Sequence, residues 1–173
     1  MRNDRKFFCA AAAISLMSLL SGCGYHIGFI KHPQLNTIAV APAVNETAVY
    51  NAASDARMMM NEVVVQDGTF KLVDEKIADA VIFMTVKNVS FAEVSSASVT
   101  DYNTYRPNEW ATRVNIEYKL IIPGQSGAVR SGSVTGEALF QAPIDIESSR
   151  LRAVRQACYE ACKDIIYGIA EGW

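Results

Sequence analysis

The sequence has little of what most enzymes and metal proteins use. Only two histidines, His26 and His32, and four cysteines occur in 173 residues. A Gly-rich phosphate loop, a His-Glu-x-x-His motif and a Gly-x-Ser-x-Gly elbow are all missing. Both histidines stand in a short N-terminal segment, without a nucleophile or an acid at motif spacing. The sequence therefore predicts a protein that is not an enzyme, with no catalytic residue, no metal site and no cofactor.

The chain also lacks an excess of positive charge. Its 16 basic and 18 acidic residues become 13 and 17, a net charge of −4, once the predicted signal peptide with Arg2, Asp4, Arg5 and Lys6 is removed. A mildly acidic domain is not a general binder of nucleic acid or of anionic membranes. We expect no nucleic-acid partner, and an anionic ligand would need a local cluster of cations.

Long hydrophobic runs are missing except at the N-terminus. Residues 7–20 are apolar, follow Arg2, Arg5 and Lys6, and are shorter than the roughly 20 residues of a spanning helix. The run ends in Leu20-Ser21-Gly22-Cys23, which offers a thiol for diacylglyceryl transfer and small residues for the signal peptidase. This order predicts a lipoprotein signal peptide at 1–22, with Cys23 as the lipidated first residue of the mature chain. The alternative is an ordinary secretory signal with a chance cysteine.

The predicted lipidation determines where the domain is expected. Several acyl chains, palmitate among them, anchor a protein stably where a single chain would not. Gly24 follows Cys23, and a residue other than aspartate at this place favours the outer membrane in the enterobacterial sorting pattern. We therefore expect a lipid-anchored protein on the periplasmic face of the outer membrane, with a lipidated tether at 23–34 and one domain at 35–173.

Hydrophobic periodicity predicts the elements of that domain. In the segment 79–93 the apolar residues change parity, which indicates a β-bulge near Lys87 and Asn88. The order of elements predicts an α+β fold, a two-layer sandwich of two helices packed on a mostly antiparallel sheet of four to five strands. The predicted strands are 35–44, 70–73, 79–93, 113–122 and 133–141, and the predicted helices are 51–66 and 145–168. Apolar and polar residues alternate over 113–122, which predicts a strand with one face in water.

Each predicted helix has an apolar stripe at helical spacing. In the first helix the stripe is Ala52, Ala56, Met59, Met60 and Val63, with Met58 at its border, and Asp67-Gly68 is expected to end the helix. In the second helix the stripe is Leu151, Val154, Cys158, Ala161, Ile165 and Ile169. The charged residues of this helix lie largely on its other faces: Arg152, Arg155, Glu160, Lys163 and Asp164.

Two cysteines, Cys158 and Cys162, lie four residues apart on the last predicted helix. A disulfide is conceivable in an oxidising compartment. However, side chains at this spacing on a regular helix do not meet in the geometry that a disulfide needs. Buried free thiols that pack as small hydrophobes are the preferred interpretation.

The segment 95–110 is the richest candidate for a partner interface. It is predicted as a long polar loop that carries Tyr102, Tyr105, Arg106 and Trp110 between two strands. Tyrosine, tryptophan and arginine are the residues that most often anchor protein interfaces. The alternative, of equal weight, is a long hairpin whose aromatic side chains fold back over the sheet.

The mature chain resembles the lipopolysaccharide-assembly lipoprotein family LptE over nearly its full length. Each shared segment is short, and the resemblance depends on their order and spacing. The segments are Cys-Gly-Tyr-His at 23–26, Thr-Ile-Ala-Val-Ala-Pro at 37–42, Asn-Glu-Thr at 45–47, Asp-Gly-Thr-Phe-Lys-Leu-Val at 67–73, Ala-Asp-Ala-Val-Ile at 78–82, and the terminal Trp173. The resemblance implies two helices on a four-stranded sheet.

The resemblance also implies a function. The lipoprotein would plug the large outer-membrane barrel LptD, assist its assembly, and contact lipopolysaccharide during its delivery to the cell surface. From this sequence alone, Lys87, Arg106, Arg113 and Arg130 are candidates to bind phosphorylated lipid, because clustered cations form charge-assisted hydrogen bonds with phosphate. Scattered solvated charges are the alternative for these four residues.

Two other functions compete with the LptE-like interpretation. One is a lipoprotein of another envelope secretion or assembly machine, since the segment 38–47 also resembles the opening strand of ring-forming curli-secretion lipoproteins. The other is a periplasmic lipid carrier that holds acyl chains between its sheet and its helices.

Overall fold

The computed structural model describes residues 35–99, 104–141 and 146–171. The predicted signal peptide at 1–22 and the predicted tether at 23–34, which begins with Cys23, lie outside these residues. The elements are β1 (Thr37–Val40), β2 (Val44–Asn45), α1 (Ala52–Asp67), β3 (Lys71–Leu72), β4 (Ala80–Val99), β5 (Thr104–Ile121), β6 (Arg130–Phe140) and α2 (Ile146–Glu171).

The six strands form one open mixed sheet in the order β3-β1-β4-β5-β6, and β2 also pairs with β4. The long pairs, β4 with β5 and β5 with β6, are antiparallel, whereas the short strands β1, β2 and β3 pair in parallel. Two helices on a mostly antiparallel sheet confirm the predicted α+β fold. The strand predicted at 35–44 is divided into β1 and β2 around Pro42, because proline has no N–H to donate to a ladder.

The parity change in β4 marks a real irregularity of the sheet. The register with β5 shifts between Val86, which pairs with Ile116, and Asn88, which pairs with Asn115. This shift lies at Lys87, so the bulge predicted near Lys87 and Asn88 is confirmed. It returns the apolar side chains of Val89 and Phe91 to the helix-covered face, where both pack against the main core.

The main core lies between one face of the sheet and the two helices. Large side chains from both layers are fully buried there, among them Ile82, Ile116, Leu120 and Ile165. Gly136 lets the two layers touch: a Cβ built on it would lie 2.0 Å from the carbonyl oxygen of Ala157 and 2.6 Å from the nitrogen of Ala161. The backbone of α2 therefore lies directly on β6.

The buried residues of α1 include the whole of its predicted apolar stripe, and those of α2 include its predicted stripe except for Leu151. Met59 and Met60 are buried and Met58 is 45% exposed, as expected for a residue at the border of the stripe. Leu151 was predicted in the buried stripe of α2, but it is 44% exposed. The buried stripe of α2 begins with Ser149, Ala153 and Val154, and Leu151 lies beside this stripe rather than in it.

Cys158 and Cys162 are buried free thiols, as the preferred interpretation held. Both side chains are fully buried, and the Cys162 thiol lies 3.6 Å from the carbonyl oxygen of Ala56 on α1. Burial raises the pKa of Cys158 to about 12, and it raises the pKa of Cys162 as well.

This burial predicts that neither thiol reacts in the folded protein. Because only the thiolate is nucleophilic, we expect iodoacetamide at pH 8 to modify both cysteines in guanidinium chloride and neither one under native conditions. Mass spectrometry of the lipidated protein measures the number of adducts. A Ser131→Cys variant is the control, since this exposed residue of β6 should react at once. Rapid modification of two native thiols in the parent protein would contradict the packing.

Asp79 fastens the start of β4 to the start of β1. Its Oδ2 accepts hydrogen bonds from the backbone N–H groups of Asn36 (3.0 Å) and Thr37 (2.9 Å), and its own N–H donates to the Thr37 hydroxyl at 2.9 Å. The bond from Asn36, followed by those from Thr37, lowers the pKa of the Asp79 carboxyl from its ordinary 3.8. The ionised carboxylate is thus the form that the native structure prefers.

Replacing Asp79 by alanine should therefore destabilise the protein in a pH-dependent way. A carboxyl whose pKa is lowered on folding contributes its full stability above about pH 4, its pKa in the unfolded chain, and loses it as the pH falls through the lower folded pKa. We expect the Asp79→Ala variant to melt below the parent at pH 7, with the difference shrinking towards pH 2 in thermal unfolding. Glu75→Ala, at an exposed turn residue, is the control. A difference that does not change with pH would show that the carboxylate charge plays no part.

Candidate functional site

The four predicted cations do not form one cluster within the described residues. Lys87 pairs with Glu46, and this hydrogen bond raises the pKa of the Lys87 ammonium. Arg113 Nε lies 2.8 Å from Glu137 Oε2. Arg130, the first residue of β6, pairs with Leu120 of β5. Arg113 lies seven residues from Leu120 along β5, so about 24 Å of strand separates it from the position where Arg130 pairs. Arg106 lies in β5 opposite Ala97, and its side chain is outside the described part.

Polar side chains cover the middle of the sheet face that the helices leave open. The Asn115 amide donates to the Ser133 hydroxyl at 3.0 Å and to the Thr135 hydroxyl at 2.9 Å, which joins β5 to β6. The Arg113–Glu137 ion pair continues this ladder of side chains. Cross-strand pairs of this kind stabilise a sheet whose face meets water or another polar surface. The alternation of residues 113–122 signalled this wet face, but not its hydrogen-bond partners.

Of the four predicted partner residues, only Trp110 has a side chain within the described part of the chain. Trp110 stacks on Phe140 with ring centroids 6.5 Å apart, and Phe140 meets Phe91 edge-on at 6.5 Å. The Arg150 guanidinium lies 5.1 Å from the centroid of the Phe91 ring. Trp110 thus folds onto the sheet, as the hairpin alternative expected. Tyr102 lies outside the described residues, as do the side chains of Tyr105 and Arg106.

The prediction of a long loop at 95–110 is wrong. Strand β4 continues to Val99 and β5 already begins at Thr104, so the two strands stay paired through most of this segment. The described ladder of β6 ends opposite Trp110, and β5 before Trp110 pairs with β4 alone. A two-stranded ribbon therefore extends past the body of the sheet. Serine, asparagine, aspartate and proline in this segment are typical of loops, but its threonine and tyrosine residues favour strands.

A buried hydroxyl without a partner lies close to the aromatic side chains. Thr112 stands between Phe91 and Ala138 in the sheet and is fully buried, yet its Oγ1 has no hydrogen-bond partner among the described residues. An unsatisfied buried hydroxyl costs about 1–3 kcal/mol.

Thr112→Val, which replaces the hydroxyl by a methyl group of similar size, should therefore stabilise the domain by about 1 kcal/mol. Chemical denaturation measures this as a higher midpoint at an unchanged slope. Thr85→Val, at a partly exposed position of β4, is the control and should change little. A destabilised Thr112→Val variant would mean that the hydroxyl has a function to which the fold is adapted.

Two adjoining grooves run between the exposed sides of the helices. Their volumes are about 240 Å³ and about 440 Å³, and both are lined by Gln66 of α1 and Tyr159 of α2. The Tyr159 hydroxyl donates to Gln66 Oε1 at 2.8 Å and so spans the boundary between them. Arg152, Arg155 and Lys163 line the α2 side. The sequence pattern predicts that these residues lie outside the buried stripe of α2, but it does not show the grooves, which depend on how the helices cross.

Residues 35–99, 104–141 and 146–171 contain no group of three or more His, Cys, Asp or Glu residues that could hold a metal ion. None of the helices in the described part of the chain is long and apolar enough to cross a membrane.

The fold is shared with solved bacterial proteins. A candidate lipoprotein of Caulobacter crescentus aligns with a TM-score of 0.53 at 12% identity, over 77% of this chain and 87% of that one. A Xanthomonas campestris protein of the DUF330 family gives 0.53 at 12%, over 85% and 94%. The PelC dodecamer of Paraburkholderia phytofirmans gives 0.50 at 12%, over 83% and 93%. No family model and no curated protein sequence matches the chain.

These likenesses show the fold alone. The class that they and the geometry define is an open α+β sandwich, with two helices on one face of a mixed sheet and a second face that is polar over β5 and β6. Solved structures of this class include a candidate lipoprotein, which is the kind of protein that the N-terminal sequence predicts here.

Proposed function

We propose that this chain is a lipid-anchored protein of the outer membrane that supports the assembly of an LptD-like β-barrel, occupies the barrel and assists lipopolysaccharide delivery. The observation that carries the proposal is where the LptE-like segments lie in the fold. The segments 37–42, 67–73 and 78–82, distant in sequence, supply the adjacent strands β1, β3 and the start of β4. They also contain Asp79, which fastens β4 to β1. The resemblance therefore falls on one structural unit.

The open sheet face supports a position inside a barrel. The lumen of an outer-membrane barrel is polar, so a plug needs a polar surface against it. Asn115, Ser133 and Thr135 provide neutral hydrogen-bonding groups on this face, and Arg113 and Glu137 neutralise each other. The predicted lipid on Cys23 would hold the domain at the membrane that contains the barrel.

Lipopolysaccharide contact is the finer part of this proposal. Lys87 and Arg113 each already have a carboxylate partner, so a lipid phosphate would have to compete with Glu46 or Glu137 for them. Both ion pairs are partly exposed, and exposed pairs of this kind contribute little to stability because water screens them. A phosphate can therefore exchange for the carboxylate at little cost.

Extraction of the tagged, lipidated chain in mild detergent tests the proposal. We expect a large outer-membrane β-barrel to copurify with it at a one-to-one ratio, measured by quantitative mass spectrometry of the complex. The control is an unrelated soluble domain carrying residues 1–34 of this chain, which should not retain the barrel. Recovery of a free monomer with bound lipid, or of a soluble ring, would overturn the proposal.

A second candidate is a ring-forming component of another envelope machine. The likeness to the PelC dodecamer favours it, although at 12% identity this likeness shows only a shared fold. The native mass of the extracted protein separates the two candidates, because a ring is a multiple of the chain without a barrel. A lipid carrier is disfavoured, since Ile116, Leu120 and Ile165 fill the interface where acyl chains would lie.

A further inference from the structure

Strand β6 forms one edge of the sheet. It has 11 residues and pairs with β5 in an unbroken register, from Trp110 opposite Phe140 to Leu120 opposite Arg130. In the described part of the chain it is the last strand on its side. Alternate N–H and C=O groups of such a strand point away from the sheet, ready to pair with another strand.

This edge lacks the features that usually protect one. The opposite edge is β3, which has only two residues, one of them Lys71. Short edge strands, lysine, proline and bulges are the usual means of preventing strand addition. Strand β6 has no lysine, no proline and no bulge, and of its two charged residues Glu137 is already paired with Arg113. Its remaining side chains are mostly small, so few of them would block the approach of another strand.

The position of α2 restricts what can pair with this edge. An antiparallel pair of β6 strands related by a two-fold axis would place both copies of α2 on the same face of the joined sheet. Neighbouring strands lie about 4.8 Å apart. Because α2 touches β6 directly at Gly136, the two helices would also be about that far apart where the strands meet, whereas packed helices need about 8–10 Å. A second copy is therefore excluded at the centre of the strand, and a strand without a helix above it fits.

We propose that the β6 edge binds an extended strand of a partner protein. On the open face this strand would lie beside Ser133, Thr135 and Glu137, which suit hydroxyl, amide or basic side chains. On the other face, beside α2, only small side chains fit. Strand addition of this kind takes its affinity from main-chain hydrogen bonds and its specificity from alternate side chains. The inference deepens the proposed function, since it assigns the surface by which the chain holds its protein partner.

Site-specific crosslinking in native membranes tests this assignment. Ser131, Ser133 and Thr135 are exposed at successive open-face positions of β6, and Cys158 and Cys162 are buried, so a cysteine introduced at each site can be labelled selectively with benzophenone-maleimide. After irradiation, we expect the three variants to crosslink to positions two residues apart along one segment of one partner. Glu62→Cys is the control, because Glu62 is exposed on α1, away from both β6 and the open face, and should give several-fold less of this adduct.

Three results would overturn the proposal: an adduct of twice the mass of the chain, adducts without the two-residue spacing, or no adduct above the control.

Proline substitution at Val134 and at Thr135 gives a second measurement. The N–H groups of adjacent residues point in opposite directions, so one of the two prolines removes an N–H that faces β5 and the other removes an N–H at the outer edge. The variant that loses the outer N–H should keep its melting temperature and lose the crosslinked partner. Retention of the partner by both variants would also contradict the proposal. A copurifying barrel without β6 crosslinks overturns only this inference, whereas ordered crosslinks to a protein other than a barrel overturn only the proposed function.

Discussion

Replacing Gly136 by alanine is expected to destabilise the domain by about 3 kcal/mol, at the upper end of what overpacking costs. The new Cβ would lie 2.0 Å from the Ala157 carbonyl oxygen and 2.6 Å from the Ala161 nitrogen, and both are backbone atoms of α2. Neither can move by a change of rotamer, so the helix has to lift from β6 along its whole contact. For a domain of this size we expect the melting temperature to fall by about 10 °C.

The same substitution at Gly132 is the matched control. Gly132 is also in β6, but a Cβ there would meet the ring of Tyr118 at 3.0 Å, and a side chain can move aside more easily than a helix backbone. Differential scanning calorimetry should therefore show a clearly smaller loss for Gly132→Ala than for Gly136→Ala. Equal melting temperatures for the two variants would mean that α2 does not touch β6.

Replacing Cys23 by alanine should abolish lipidation and membrane anchoring together. The Cys23 thiol is the predicted acceptor of the acyl chains, and each buried CH₂ of an acyl chain contributes about 0.8 kcal/mol to membrane binding. We expect the variant to incorporate no labelled palmitate and to leave the detergent phase in a phase-partition assay. Mass spectrometry of the N-terminus should show the acyl mass on the parent chain only.

Cys9→Ala provides the control for this prediction. Cys9 lies within the apolar run of the predicted signal peptide and would be removed with it. The variant should therefore incorporate palmitate as the parent does. Labelling that persists in Cys23→Ala, or that disappears in Cys9→Ala, would contradict the assignment of the lipidated residue.

The parts of the fold that the sequence predicted well are those with one wet and one dry face. Residues 113–122 alternate because β5 has the helices on one side and an open face on the other, and the parity change in β4 marked its bulge for the same reason. The Asp67-Gly68 pair ended α1 as expected, with Gly68 in the left-handed conformation at φ 69°. In each case the residues that show the pattern are the same residues that meet the physical constraint, whether burial of one strand face or a left-handed backbone at the end of a helix.

What the sequence did not predict depends on contacts between distant segments. The parallel pairing of β1 with β3 and β4 cannot be read from short apolar runs, which look the same in either orientation. The partners of Lys87 and Arg113 are Glu46 and Glu137, 41 and 24 residues away, so no spacing rule points to them. The close approach at Gly136 likewise follows from where α2 crosses the sheet, and the sequence shows only a glycine in a strand.

The amount of folded LptD-like barrel in the outer membrane, measured after depletion of this chain, tests the proposed function most directly. If the chain supports barrel assembly, the heat-modifiable, folded form of the barrel should decrease several-fold while its synthesis continues, and re-expression of the parent chain should restore it. An unchanged amount of folded barrel in fully depleted cells would contradict the proposed function.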